Sequence, residues 1–344
     1  GHEVGRAVIT VPKEPSPTGR CYPIIEYAHG TGGDAYSLVD SGTGGRLAAR
    51  GMAGIGIDQP LHGSRNQGKT FDVDTATFNF ANAKAARANF RQSAVDTFSL
   101  TRLLKNGITI PANISPSSEE ICFNKENIGF FGHSQGGLSG SLAMAYEDDI
   151  KSWVLSGAGG GLTITILERK DTVDFEALMT FLLQLDPGEK LSELHPTMLV
   201  IQSGVDVTDP IAYAPYWIQR NDHSGNKNIL LTSGENDEQT PHRTGAALAV
   251  AARLPIVAPQ ELDILEYTLL GMDPIDAPVT GNIAGTHTAG FLQWPGYSNS
   301  ANSHVNHFLI FNSPEAINAS MKFLRTTTTR DYPIIERDPD ANVR

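Results

Sequence analysis

The ten residues Ile128 to Gly137, IGFFGHSQGG, constrain the fold of this chain more than any other stretch. The run IGFF lacks polar alternation, as a strand does when both faces of its sheet are covered. It leads into Gly-x-Ser-x-Gly, a strand-to-helix turn in which Gly132 and Gly136 clear the space around Ser134. Such a turn strains the serine backbone and lifts its hydroxyl above the sheet edge. It also puts the N–H of Gln135 at a helix N-terminus, where it can face a developing oxyanion. The pattern predicts a parallel sheet covered by helices on both faces and nominates Ser134 as a nucleophile. A solvated serine on a tight turn is the plainer alternative.

The rest of the chain alternates in the same way. VGRAVITV reads as an edge strand, and PKEPSPTG as a turn after it. Ile24 to Ala28 is a buried strand running into HGTGG, GRLAARG a short helix closed by Gly51, and GMAGIGID the next strand. FANAKAARANFRQSAVDTFSLTRLLKNG is a long helix with Phe90, Ala94, Phe98 and Leu103 near helical spacing. KSWVLSG and NILLTSG read as strands, HRTGAALAVAARL as a helix, and RDPDANVR as a loose tail. Residues 162–195 interrupt the alternation and read as an inserted helical cap within one domain, 1–344. On it Phe175, Leu178, Met179, Leu182 and Leu185 share a helical face that can cover an acyl pocket or simply pack into a core. TMLVIQS is ambiguous between strand and buried helix, because periodicity does not decide over so short a run.

Composition narrows the partners. A net charge of −12 disfavours nucleic acid and anionic membrane surfaces, and neutral substrates fit better. No apolar run is long enough to span a membrane. The two cysteines, Cys21 and Cys122, each precede an apolar strand. If those strands are parallel neighbours, a bridge closes a long loop and points to export from the cytoplasm; two separate buried thiols are the alternative. Gly1 opens the sequence without a basic-then-apolar leader, which leaves open a leader already removed.

A neutral serine needs a base to take its proton and an acid to orient that base. In doubly wound sheets built on this turn, acid and then base follow the serine, each at the carboxyl end of a strand. Asp237, in GENDEQTP after NILLTSG, is the expected acid, with Glu235 and Glu238 flanking it. Asp206 and Asp209 are rivals if TMLVIQS is a strand, with His242 then a base. For the base, His307 is preferred to His304 because FLIF and a helix follow it directly. His287 and His223 read as loop histidines. The second oxyanion donor is expected from HGTGG at Thr31, with His29 buttressing the loop. The glycine run lacks the Gly-Lys-Ser/Thr of a phosphate loop. No H-E-x-x-H pattern is present, and no metal or cofactor is expected.

Together HGTGG, DQPLHGSR, GHSQGG, GENDEQTP and VNHFLIF resemble the alpha/beta-hydrolase superfamily over nearly the whole chain. The resemblance implies that Asp58 and His62 lie on a loop that shapes the site without performing chemistry, after the fourth strand of that fold. FNFANAKAARANFRQSAVD is similar to a helix of bacterial exported lipase-like hydrolases, surface lysophospholipases among them. It implies an esterase or lipase outside the cytoplasm, secreted, periplasmic or at the cell surface. The expected substrates are lipid, aryl or polyester esters. A peptidase or amidase with the same residues, and a noncatalytic binding protein of this fold, are the alternatives.

Overall fold

A computed structural model of the chain describes residues 5–14, 21–66, 68, 71–79, 82–115, 117–170, 174–219, 225–296, 304–330 and 332–337. Eight strands are present among them: β1 (Ala7–Thr10), β2 (Tyr22–Ala28), β3 (Ala53–Ile57), β4 (Thr109–Ile110), β5 (Ile121–His133), β6 (Ile150–Ser156), β7 (Ile229–Gly234) and β8 (Ala289–Trp294). Seven form a sheet in the order β1-β3-β2-β5-β6-β7-β8, with β4 beside the start of β5. All pairs in that order are parallel except β1 with β3, which puts the antiparallel strand at an edge as the alternation of its sequence predicts.

Continuous apolar strands are explained by a core on each face. On β5, Phe130 joins the cluster containing Trp153, Leu155, Ile229 and Leu231, its ring centroid 4.9 Å from that of Trp153. The next residue, Phe131, joins the opposite cluster with Tyr27, Val154 and Leu230. Consecutive residues thus enter opposite cores, as the two-residue period of a strand requires. The helices Ala83–Asn106, Gln135–Met144 and His242–Ala252 cover the first face; Thr43–Ala48 and Pro314–Thr329 cover the second. The long helix begins where Asn82 accepts from the Ala85 N–H and ends at Gly107, whose φ of 92° is left-handed. Its expected first residues, Phe80 and Ala81, lie outside the described residues, as do most of PKEPSPTG and of the tail RDPDANVR.

One acidic residue interrupts the apolar strand β2. Glu26 is buried, accepts a hydrogen bond from Thr101 Oγ1 at 2.8 Å and leaves Oε2 unpartnered. Burial pushes its carboxyl well above the ordinary range.

Parallel pairing of β2 with β5 sets Tyr22 opposite Phe123, which brings Cys21 and Cys122 together at the amino ends of the two strands. They form a disulfide, with Cα atoms 4.6 Å apart and a sequence separation of 101.

Between β6 and β7 the chain runs through the helices Leu162–Glu168, Phe175–Leu183 and Pro196–Val205, which pack around Ile166, Leu191 and Met198. TMLVIQS is therefore helix, begun by Pro196 at its first turn and by His195, whose Nδ1 accepts from the Thr197 N–H. The helical stretch thus continues past residue 195. The shared apolar face is also divided. Phe175, Met179 and Leu185 pack into the small cluster, whereas Leu178 and Leu182 are exposed to solvent. Nine residues give a helix too short to bury a whole face on its own, so the neighbouring helices decide which side turns inward.

Candidate active site

The order of strands reverses at β2 and β5: the chain passes from β2 outward to β3 and then returns to β5 on the other side of β2. Loops leaving the carboxyl ends of β2 and β5 therefore diverge and leave a crevice between them, the place where open α/β sheets hold ligands. HGTGG leaves β2 and GHSQGG leaves β5. A cavity of about 620 Å³ opens there, lined among others by Gly30, Thr31, His133, Ser134 and His307.

Ser134 sits between β5 and the helix Gln135–Met144 with φ 54° and ψ −121°, a conformation that costs an L-residue strain. Two glycines make it attainable. A Cβ at Gly136 would lie 2.0 Å from Ala28 O, and one at Gly132 would lie 2.5 Å from Gly136 O. The turn is tied to the next strand by the Ser134 N–H, which donates to Ser156 O at 2.8 Å. Gln135 occupies the first turn of its helix, where backbone N–H groups have no partner within the helix.

Thr31 lies on a four-residue turn closed by the Gly33 N–H donating to Gly30 O, with Gly32 at φ 81° where a side chain would be strained. His29 braces this turn from below. Its Nε2 accepts from the Gln59 N–H at 3.1 Å, and Gln59 Nε2 donates to His29 O. Gln59 Oε1 in turn lies 3.5 Å from both Gln135 Nε2 and Ser139 Oγ. One buried amide thus spans the loop after β2 and the helix after Ser134. Burial lowers the His29 pKa to about 4, so this brace carries no charge at neutral pH.

Asp237 and His307 are brought together from loops after β7 and β8. His307 Nδ1 and Asp237 Oδ2 are 2.8 Å apart, both side chains about 1% exposed. The other carboxylate oxygen, Oδ1, accepts from the N–H groups of Gln239 at 2.9 Å and Thr240 at 2.8 Å, so the acid cannot rotate away. With the carboxylate accepting at Nδ1, the proton of a neutral imidazole resides there and Nε2 keeps its lone pair. His307 Nε2 is buried and has no hydrogen-bond partner among the described residues.

The rivals are held elsewhere. Asp206 accepts from Gln202 at the end of the helix Pro196–Val205. Asp209 is fully buried and accepts from the N–H groups of Gly161, Leu162 and Ile211, which fastens the start of the helix Leu162–Glu168. His242 contacts Ser233 Oγ and Gln293 Nε2, Glu235 accepts from the Gly296 N–H, and Glu238 is exposed. His287 pairs with its neighbour Thr286. The His304 side chain and all of His223 lie outside the described residues.

His133 belongs to the site although its position in the Gly-x-Ser-x-Gly turn carries no such signal. Its ring lies 4.8 Å from that of His307 and 4.7 Å from that of Phe311. Burial, and then the nearby His307, push its pKa well below the usual histidine range.

Asp58 and His62 follow β3, the strand between the antiparallel edge strand and β2. Asp58 accepts from Arg6 at 2.8 Å, from the Ala35 and Ser64 N–H groups at 2.8 Å each, and from Ser64 Oγ at 2.6 Å. Burial pushes this carboxyl up, but those donors outweigh it and hold the pKa at about 2. Set against the model-peptide 3.8, the depression is worth roughly 2 kcal/mol of stability. A depressed carboxylate contributes fully above the unfolded pKa and loses its contribution as pH falls through the folded one. Asp58→Asn should therefore cost roughly 2 kcal/mol at pH 7, with the difference shrinking as pH falls from about 4 toward about 2. Urea unfolding of both proteins across that range reads it, and a deficit independent of pH would contradict the assignment.

The parallel sheet, its two helical layers and the strained serine turn define an alpha/beta-hydrolase fold. Solved structures agree on this fold. The chain is similar to acetyl xylan esterase 1 from a Thermoanaerobacterium species, at 14% identity over 90% of this chain and 80% of that one, with a TM-score of 0.50. It is similar to an acetyl xylan esterase from a Paenibacillus species, at 13% identity over 93% and 78%, TM-score 0.51. It is also similar to the acylaminoacyl peptidase of Pyrococcus horikoshii, at 12% identity over 97% of this chain and 40% of that one, TM-score 0.52. No protein-family profile matches the chain, and no curated protein matches its sequence.

Proposed function

We propose that the protein is a serine carboxylic-ester hydrolase in which Ser134, His307 and Asp237 act together. The observation that carries this reading is the unpartnered Nε2 of His307, on a ring locked by Asp237 and bordering the cavity that Ser134 enters. His307 takes the Ser134 proton through Nε2 as the serine oxygen attacks the ester carbonyl, forming a tetrahedral oxyanion. The N–H groups of Gln135 and Thr31 stabilise that oxyanion. Collapse expels the alcohol, which takes the proton from His307, and leaves an acyl-enzyme on Ser134. Water, deprotonated by the same ring, then releases the acid. Asp237 keeps the proton on Nδ1 and offsets the imidazolium charge in both steps.

The reaction uses no metal or organic cofactor in this scheme. Its substrates are esters with lipid, small aryl or polyester chains, bound in the cavity beneath the helical cap of residues 162–195, which serves as its lid. The Cys21–Cys122 disulfide supports work in an oxidising compartment, outside the cytoplasm. Among the described residues no helix is long and apolar enough to cross a membrane.

Treatment with a fluorophosphonate, followed by peptide mass mapping, tests the nucleophile. The expected result is one phosphonyl adduct per chain, on Ser134, lost when His307 is replaced by Ala. An adduct on another serine, or none, would remove the proposal.

A further inference from the structure

We propose that Arg169 is an anion-binding group of the Ser134 cavity and takes a carboxylate carried by the ester substrate away from the scissile bond. This rests on the ester-hydrolase reading above. Arg169 follows the cap helix Leu162–Glu168, its N–H donating to Thr165 O, and it lines the cavity together with Leu162, Thr165 and Phe78. Its guanidinium lies over two rings, 5.5 Å from the centroid of Phe78 and 5.7 Å from that of Phe175. Aromatic contact covers the flat face of a guanidinium and leaves the donors at its edge available, the geometry that suits a planar carboxylate.

No described carboxylate pairs with it. Arg169 Nε is buried without a hydrogen-bond partner. Other partly buried guanidiniums have acceptors: Arg6 pairs with Asp34 and Asp58, Arg65 with Asp96 and Arg337 with Glu261, while Arg46 donates to Ser41 O and Phe311 O and Arg50 to Arg46 O and Asn318 Oδ1. The adjacent Glu168 turns to Arg243. Asp74, on the same cavity wall, makes an interaction of its own. Arg46, on the same wall, is satisfied by carbonyl oxygens, whereas no described acceptor meets the Arg169 guanidinium, so its counter-charge is one that arrives with the substrate. The net charge of −12 repels a polyanion far more than a single carboxylate, whose contact with one aromatic-backed arginine acts at short range within the screening length. The substrate class this selects is a carboxylate-bearing ester: a half-ester of a dicarboxylic acid, or an ester of a hydroxy acid whose own carboxyl is free.

Two matched pairs test this and separate the two positions of the carboxylate. Methyl p-acetoxybenzoate against p-acetoxybenzoate puts the charge on the alcohol side; diethyl adipate against monoethyl adipate puts it on the acyl side. The readout is the anionic-to-neutral ratio of kcat/KM. Arg169→Met should lower that ratio roughly tenfold to hundredfold in one pair, chiefly through KM, as expected for losing hydrogen bonds to a charged group. Arg169→Lys should restore part of it, which a purely packing role against Phe78 and Phe175 would not do. A ratio that moves less than about threefold in both pairs, even if both rates fall, overturns the proposal. If wild type hydrolyses none of the four esters, the ester-hydrolase reading fails instead. Calorimetric binding of p-hydroxybenzoate to wild type and Arg169→Met then decides the anion site alone: binding about tenfold weaker in the variant supports it, and equal binding overturns it.

Discussion

Asp237→Asn should lower kcat on a p-nitrophenyl ester by about 10³ to 10⁴ while the protein stays folded. The size follows from how the carboxylate is held. Gln239 and Thr240 both donate backbone N–H groups to Oδ1, so the oxygen of an asparagine must occupy that position. Its NH₂ group is then directed at His307 Nδ1, where Asp237 Oδ2 now lies 2.8 Å away. A donor facing Nδ1 forces the imidazole proton onto Nε2, the nitrogen that must accept from Ser134. Asp237→Ala lacks that inverted contact and is expected to fall in the same range by losing orientation and charge compensation. His304→Ala is expected to stay within about threefold of wild type. An Asp237→Asn enzyme within about tenfold of wild type would exclude Asp237 as the orienting acid.

Removing the disulfide should produce the largest stability change. Closing a 101-residue separation takes ~4 to 5 kcal/mol of conformational freedom from the unfolded chain in the loop-entropy description. The folded state changes little, because the β2–β5 pairing already holds these positions side by side. Cys21→Ala with Cys122→Ala should lower unfolding free energy by about that amount in urea titrations. Ser134 and His307 lie at the opposite, carboxyl ends of the strands, so the folded double variant should keep its rate on esters. A loss below about 1 kcal/mol would show that the unfolded chain is constrained by something other than this bridge.

Much of this arrangement is legible in the sequence for a specific reason. Parallel strands covered on both faces must be apolar throughout, so IGFF, KSWVLSG and NILLTSG stand out, and the order serine, acid, histidine follows from the doubly wound path. Asp237 and His307, whose side chains meet at 2.8 Å, stand out in the sequence because one follows an apolar strand and the other precedes a packed segment. The turn glycines are legible because backbone passes too close for a Cβ, as Gly136 beneath Ala28 O illustrates. Other features depend on tertiary neighbours. TMLVIQS is a helix because His195 and Pro196 start it and the cap buries Met198, which seven apolar-rich residues do not announce. The face containing Phe175 and Leu182 divides because flanking helices, not its own periodicity, choose its inner side. His133, Gln59 and Arg169 have no distinctive spacing; their roles appear only when β2, β5 and the cap are assembled around one cavity.

Hydrolysis of p-nitrophenyl esters from acetate to palmitate, by wild type and Ser134→Ala side by side, tests whether Ser134 is the nucleophile of an esterase. Wild-type turnover with a chain-length optimum, lost by at least about 10³-fold in the variant, is the predicted result. Turnover that survives in Ser134→Ala, or wild-type protein inert across the series, would contradict it.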